Sequence, residues 1–216
     1  MPEARTSTPR ERYRTQVRAE IKDHAWEQIA TAGASALSLN AIAKRMGMSG
    51  PALYRYFDGR DELITELIRD AYRSQADTFR AAAASGADLA GLAHTLRAWA
   101  LDDPQRYFLI HGTPVPGYHA PGDITEIAAE TMAVIVDACA ALPAPDGADA
   151  AFDAHLEAHR QWAGDRPVPS TALHRALSFW SRLHGVLSLE LAGQFTGMGF
   201  DPALLFDAEL KDLLGP

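Results

Sequence analysis

Residues 38–63, SLNAIAKRMGMSGPALYRYFDGRDEL, decide how this chain folds. Leu39, Ile42, Ala43 and Met46 recur at i, i+3, i+4 and i+7, which places them on one face of a short helix. Ser38 precedes that run as an N-cap, its side chain accepting a backbone N–H that would otherwise lack a partner. Gly47 stands where the chain needs a left-handed residue to leave the helix, and Met48 packs the turn. Ser49 is expected to cap a second helix, residues 50–57, with Pro51 in its first turn, where a missing N–H costs nothing. That helix would bury Ala52, Leu53 and Phe57 and turn Ser49, Gly50, Tyr54, Arg55 and Tyr56 outward. Helix, glycine turn and second helix form the arrangement that seats a recognition helix in the DNA major groove.

The flanks extend the pattern. Upstream, Tyr13, Val17, Ile21, Ala25 and Ile29 are spaced by four, predicting a helix over 10–32 that Gly33 stops. Residues 1–9 lack periodicity and read as a loose arm; Arg5 and Arg10 could reach a phosphate, although a solvated tail is the simpler reading. Downstream, Leu63, Ile64, Leu67, Ile68, Ala71, Tyr72 and Phe79 carry a long helix from Arg60 to about Ala84. It would begin in the three-helix head and end inside the next domain, as a lever between them.

Charge is divided unevenly. Residues 1–60 hold ten basic and six acidic side chains, 10 − 6 = +4, so the remainder carries −8 − 4 = −12. A basic head on an acidic body confines contact with DNA to the head. No run of about 18 apolar residues suggests a membrane span. The polar first residues do not resemble a secretory signal, and the lone Cys139 suits a reducing compartment, so a cytoplasmic protein is expected.

The segment IAKRMGMSGPALYRYFDGRDEL resembles the signature of the tetracycline-repressor (TetR) family, through Ile42, Ala43, Gly47, Ser49, Leu53, Tyr54, Tyr56, Phe57, Arg60, Glu62 and Leu63. Arg60 stands where that family more often has Lys, and Gly50-Pro51 replaces a more polar pair. The match is dense over about residues 14–70 and becomes one of architecture beyond them. The resemblance implies an all-α protein: a helix-turn-helix head over 1–60 and a larger effector-binding and dimerisation domain over 61–216. It also implies a ligand-responsive repressor acting as a homodimer on palindromic double-stranded DNA. Under that reading Tyr54 and Tyr56 meet phosphates, while Ser49, Gly50 and Arg55 lie against base edges or nearby backbone. Ser38, Lys44 and Arg60 clamp phosphates on either side.

The remaining chain reads as helices broken by Pro/Gly loops: 88–101, a short one from Pro104, 123–142 capped by Asp123, 150–163, 170–193 capped by Ser170, and 202–214. Segment 170–193 is apolar around much of its circumference, so it must bury more than one face. Trp180, His184, Leu187 and Leu191 are expected on a seam facing a second subunit, beside helix 150–163. Aromatic side chains and kinks gather in the middle of the chain. Trp99, Tyr107, Phe108, His111, Tyr118, His119, Met132 and Val136, with Phe179 and Leu183 opposite, are the candidate lining of a pocket for a small hydrophobic or aromatic effector.

Other chemistry finds little support. His155 and His159 have a metal-ligand spacing, but HLEAH is not the HExxH of metalloproteases and no third ligand accompanies it. There is no phosphate-binding glycine loop and no GxSxG turn. No metal, catalytic residue or cofactor is therefore expected. The competing reading is a small-molecule carrier or enzyme that keeps a helix-turn-helix-like head as scaffold. An exposed Tyr54-Arg55-Tyr56 tip argues against it, because such a protein has no use for one.

Overall fold

The computed structural model describes residues 8–115, 117–119, 121–143 and 150–215. Among them are ten α-helices and no strand. They form two compact units: the described residues through Asp70 with those of 113–120, and Ala71–Gly112 with the described residues from Pro121 onward.

In the first unit, α1 (Pro9–Ala32) begins on a reciprocal cap. The Thr8 backbone N–H donates to Glu11 Oε2 at 2.7 Å, and Thr8 Oγ1 accepts from the Glu11 backbone N–H at 3.3 Å. This cap draws Arg10 into the first helical turn, so the arm expected over 1–9 does not include Thr8 or Pro9; Arg5 lies outside the described residues. Val17, Ile21, Ala25 and Ile29 are buried as their spacing predicts, whereas Tyr13, one turn earlier, is exposed. α2 (Leu39–Arg45) buries Leu39, Ile42 and Ala43 and ends at Gly47, whose φ is 66°. There the Met48 N–H reaches back to the Ala43 carbonyl at 2.9 Å, closing the helix end.

The second helix of the motif is shorter than its sequence suggests: α3 spans only Gly50–Leu53. The Arg55 and Tyr56 N–H groups bond three residues back, to Ala52 and Leu53, which tightens the last turn out of α-helical geometry. Leu53 and Phe57 still reach the core, joining Leu63, Ile64 and Leu67 of α4 (Arg60–Ala84). Residues of α4 belong to both units, the division falling between Asp70 and Ala71.

The second unit is built around α9 (Ser170–Leu191). It packs against α5 (Leu89–Asp102), α7 (Gly122–Ala140), α8 (Ala150–Ala158) and α10 (Pro202–Leu214). The short α6 (Pro104–His111) follows α5 and adds Tyr107 to the core. Two expected caps are corrected. Pro121 and Pro169 occupy the N-cap positions in extended conformation, so Asp123 and Ser170 fall inside the first turns of α7 and α9. An acidic side chain in that place still favours the positive helix terminus. Segment 150–163 is α-helical only to Ala158 and closes as a 3₁₀ turn, Arg160–Ala163.

The subunit-facing seam expected on α9 is corrected at Leu187. Leu187 is 0 % exposed and belongs to the apolar core of its own unit, a core that also takes in Leu183 one turn earlier and Phe206 of α10. Trp180 and Leu191 pack against the same core.

Candidate DNA-reading surface and effector core

The basic side chains of the head divide into two groups. Several are spent holding the head together. Arg18 lies over the Phe57 ring, 4.0 Å from its centroid, donates to the Tyr56 carbonyl, and pairs with Glu62 and Glu66 at 3.5 and 3.7 Å. Lys22 pairs with Asp70 at 2.5 Å, and Arg45 with Glu27 at 2.8 Å. Arg60, expected to clamp a phosphate, instead donates through Nη2 to the carbonyls of Ala34 and Ser35 at 2.9 and 3.3 Å. It fastens the loop between α1 and α2 to the start of α4.

Arg10, Arg14, Lys44 and Arg55 form the second group: all four are exposed and none has an ion pair or hydrogen bond among the described residues, and Lys44 and Arg55 lie within the helix-turn-helix stretch itself. Near them in sequence, the exposed Ser49 holds the N-cap position of α3 with no side-chain capping bond, so its hydroxyl is uncommitted. Tyr54 is 46 % exposed, and Tyr56 is half-buried beside the Arg14 guanidinium. Ser38 is half-buried: its Oγ accepts from the Ala41 N–H, and its backbone is bracketed by the Gln28 amide. A side chain added at Gly50 would meet only Asn40 Oδ1, at 3.4 Å, an ordinary contact, and its φ is not positive. Nothing inside the protein requires glycine there.

The second unit holds a different constellation. The His111 ring stands among five others: Tyr72, Trp99, Tyr107, Trp180 and His184, with centroid separations of 4.4 to 6.4 Å. Trp180 and His184, expected to face a second subunit, belong to this cluster. The Tyr107 hydroxyl lies 3.0 Å from His184 Nδ1, and Gln75 Nε2 lies 3.0 Å from His111 Nε2. Trp99 Nε1 donates to Ser74 Oγ at 3.1 Å. Tyr72, Ser74 and Gln75 carried no sequence signal as site residues; the one available hint was His184, a polar residue in an apolar seam.

The remaining candidates separate. Phe108 stands edge-on to Tyr107 at 5.5 Å, and Phe179 and Leu183 are fully buried core. Met132 and Val136 line a cavity of about 260 Å³ between α7 and the Arg160–Ala163 turn, with Trp162 at its edge. Tyr118 and His119 fall in the segment grouped with the first unit. Among the described residues no group of three or more His, Cys, Asp or Glu could hold a metal ion.

Burial lowers the His111 imidazole to about 4 and, with His111 nearby, His184 to about 2. Both rings are therefore neutral in the folded protein at pH 7. On unfolding they titrate near 6.5, so below that pH the unfolded chain takes up protons that the folded chain refuses. Stability is full above about pH 7 and falls as pH drops towards 4, where His111 alone accounts for a loss of about 3 kcal/mol. Urea unfolding of the protein and of His111→Leu at pH 7 and pH 4.5 is expected to show a flatter pH dependence in the variant.

Comparison with known proteins matches two stretches of the chain to family models. Residues 21–67 match the model of the bacterial regulatory proteins of the tetR family, and residues 89–213 match a tetracyclin repressor-like C-terminal domain. The chain belongs to the TetR family. Like others of that family it is a helix-turn-helix DNA-binding transcriptional regulator. It is 36 % identical to the HTH-type transcriptional regulator Rv1816 of Mycobacterium tuberculosis H37Rv, over 93 % of this chain and 92 % of that one. The crystal structure of the regulatory protein SCO4313 superposes with a TM-score of 0.90 at 90 % identity, covering 97 % of this chain and 100 % of that one. The transcriptional regulator FadR of Bacillus subtilis, solved with stearoyl-CoA, shares the fold at a TM-score of 0.54 and 14 % identity, covering 91 % and 97 %. Among the described residues, no helix of this TetR-family chain is long and apolar enough to cross a membrane.

Proposed function

We propose that this regulator is a homodimeric repressor that reads a palindromic operator through α3 and releases it when a small, mainly apolar effector enters the second unit. The observation that carries the DNA assignment is the division of the head's cations. Lys44 and Arg55 are left unpaired beside Ser49, Gly50 and Tyr54, while Arg18, Lys22, Arg45 and Arg60 brace the head. Arg55 and Ser49 contact base edges or nearby backbone; Lys44, Tyr54, Tyr56 and Ser38 hold phosphates. Gly50 lets the duplex backbone approach closely, which suits a glycine that the protein interior does not need. Arg60 acts through the loop it fastens. Selecting bound sequences from a random DNA pool tests this reading, with an inverted repeat as the expected product.

Dimerisation is assigned to the outward stripe of α9 rather than to its buried seam. His174, Ser178, Ser181, Gly185 and Leu189 follow one another at intervals of three or four. Gly185 is exposed with open space around it, Leu189 is 47 % exposed, and Phe152 of α8 rests on the His174 ring at 4.9 Å. Small residues along such a stripe let a second helix approach, and α8 widens the face, giving a four-helix contact about a two-fold axis. Leu189→Glu is expected to yield folded monomers by analytical ultracentrifugation, with a melting temperature close to that of the parent.

The effector reading rests on the aromatic enclosure around His111, formed by Trp99, Tyr107 and Trp180 with Phe108 against Tyr107. Apolar walls with few polar tips suit a small organic ligand. A ligand that favours the DNA-free state by a few kcal/mol suffices to shift the population. Release of bound operator by small aromatic compounds is the measurement.

A further inference from the structure

Two buried polar atoms of the second unit lack a hydrogen-bond partner within one constellation: Gln75 Oε1 and His184 Nε2. Gln75 is 1 % exposed, and its Nε2 reaches His111 Nε2 at 3.0 Å. The His111 and His184 rings are 4.4 Å apart between centroids, so both unmet atoms belong to groups flanking the His111 ring. Turning the Gln75 amide by half a turn exchanges an unmet oxygen for an unmet NH₂. One end of the amide stays unsatisfied in either orientation. His184 Nδ1 is taken by the Tyr107 hydroxyl at 3.0 Å, which leaves Nε2 as a lone pair or an N–H according to which partner donates. Buried groups of this kind are costly to leave unpaired, and natural proteins seldom do so without a reason.

We propose that Gln75, His111 and His184 form the polar anchor of the effector site, and that they take an uncharged hydroxyl carried on a flat aromatic ring. This rests on the effector reading given above and names its ligand class. A hydroxyl donates one hydrogen bond and accepts others: it donates to Gln75 Oε1 and accepts from a His184 Nε2–H, or, with the amide turned, accepts from the Gln75 NH₂ and donates to a His184 Nε2 lone pair. Tyr72, Trp99, Tyr107 and Trp180 all lie around the His111 ring, and rings of this kind favour stacked or edge-on contact with another ring.

A charged ligand is disfavoured. Both imidazoles are neutral, and the nearby Arg106, which reaches Ser74 at 3.3 Å, is already paired with Asp103 at 3.1 Å. A carboxylate would therefore lose its water without gaining a counter-charge. Gln75 lies on α4, so such a ligand would bond directly to the helix whose residues are shared between the two units.

The test is isothermal titration of the full-length protein with three probes of one shape: 2-naphthol, naphthalene and 2-naphthoate. Binding of 2-naphthol is expected to be roughly tenfold tighter than that of either other probe, the ratio one satisfied buried pair supplies. Gln75→Leu and His184→Phe should each bring 2-naphthol to the level of naphthalene while leaving naphthalene unchanged, with thermal melts confirming that both variants fold. Gln75→Leu removes one unmet oxygen from the interior together with the partner of His111 Nε2, so its melt is compared with that of His184→Phe.

Equal affinity for 2-naphthol and naphthalene overturns the proposal. So does tighter binding of 2-naphthoate, a 2-naphthol preference that survives both variants, or no binding of 2-naphthol at millimolar concentration. Operator occupancy is measured separately on DNA selected from the random pool. Binding of 2-naphthol that leaves DNA bound would keep the anchor and remove the effector reading. Release by a compound indifferent to Gln75→Leu would keep the effector reading and remove the anchor.

Discussion

Arg55→Ala and Lys44→Ala are expected to weaken operator binding strongly, whereas Arg60→Ala is expected to act through stability. Lys44 is exposed and unpaired, so as a phosphate contact it contributes equally on every sequence. The proposed dimer would present it twice, and the slope of log affinity against log salt should then flatten by about two units when it is lost. Arg55, if it meets a base edge, should cost about 1–3 kcal/mol per half-site, and its loss should relax sequence preference at the contacted position. Together these changes exceed any other expected from a surface residue of this chain.

Arg60 offers the contrast. It holds the Ala34 and Ser35 carbonyls, and loss of those charge-assisted bonds should destabilise the head by about 1.5–3 kcal/mol while leaving the salt slope unchanged. Salt titrations of the three variants, alongside their melts, separate the two roles. A flattened slope in Arg60→Ala would return it to the set of phosphate clamps.

The features that were legible in the sequence are those set by near neighbours. The apolar period of α2, the left-handed Gly47 and the four-residue spacing of Val17, Ile21, Ala25 and Ile29 each depend on residues within a few turns, and each reappears in the structure. The short α3 was hidden because the tightening at Arg55 and Tyr56 is a change in backbone bonding that leaves the apolar pattern of Leu53 and Phe57 intact. The fate of Arg60 was hidden for another reason: its partners lie some 25 residues away, in a loop with no charged residue to suggest a pair. In the second unit, Gln75 carries no periodic signal. It acquires meaning only when α4 and α6 bring it to His111.

The same limit governs α9 and leads to the largest stability effect expected here. An apolar helix with two buried faces can have its second face covered by a partner or by its own chain, and periodicity is blind to the difference. Here α9 packs against α5, α7, α8 and α10 of its own chain, and Leu187 is fully buried in the core that holds Leu183 and Phe206. Leu187→Glu would place a carboxylate in that enclosure, in a cluster made up of apolar and aromatic side chains. Desolvating an unpaired carboxylate, together with the lost leucine packing, should cost more than about 4 kcal/mol, a large share of the 5–15 kcal/mol that holds a domain of this size. The expected outcome is loss of the cooperative melt, or a melting temperature lowered by at least about 10 °C, in Leu187→Glu. Leu189→Glu, two positions along the same helix but 47 % exposed, should melt near the parent temperature and sediment as a monomer. A stable, folded monomer from Leu187→Glu would mean that its burial belongs to a subunit interface after all. Unfolding of Leu189→Glu would show that the outward stripe is held by contacts within the chain.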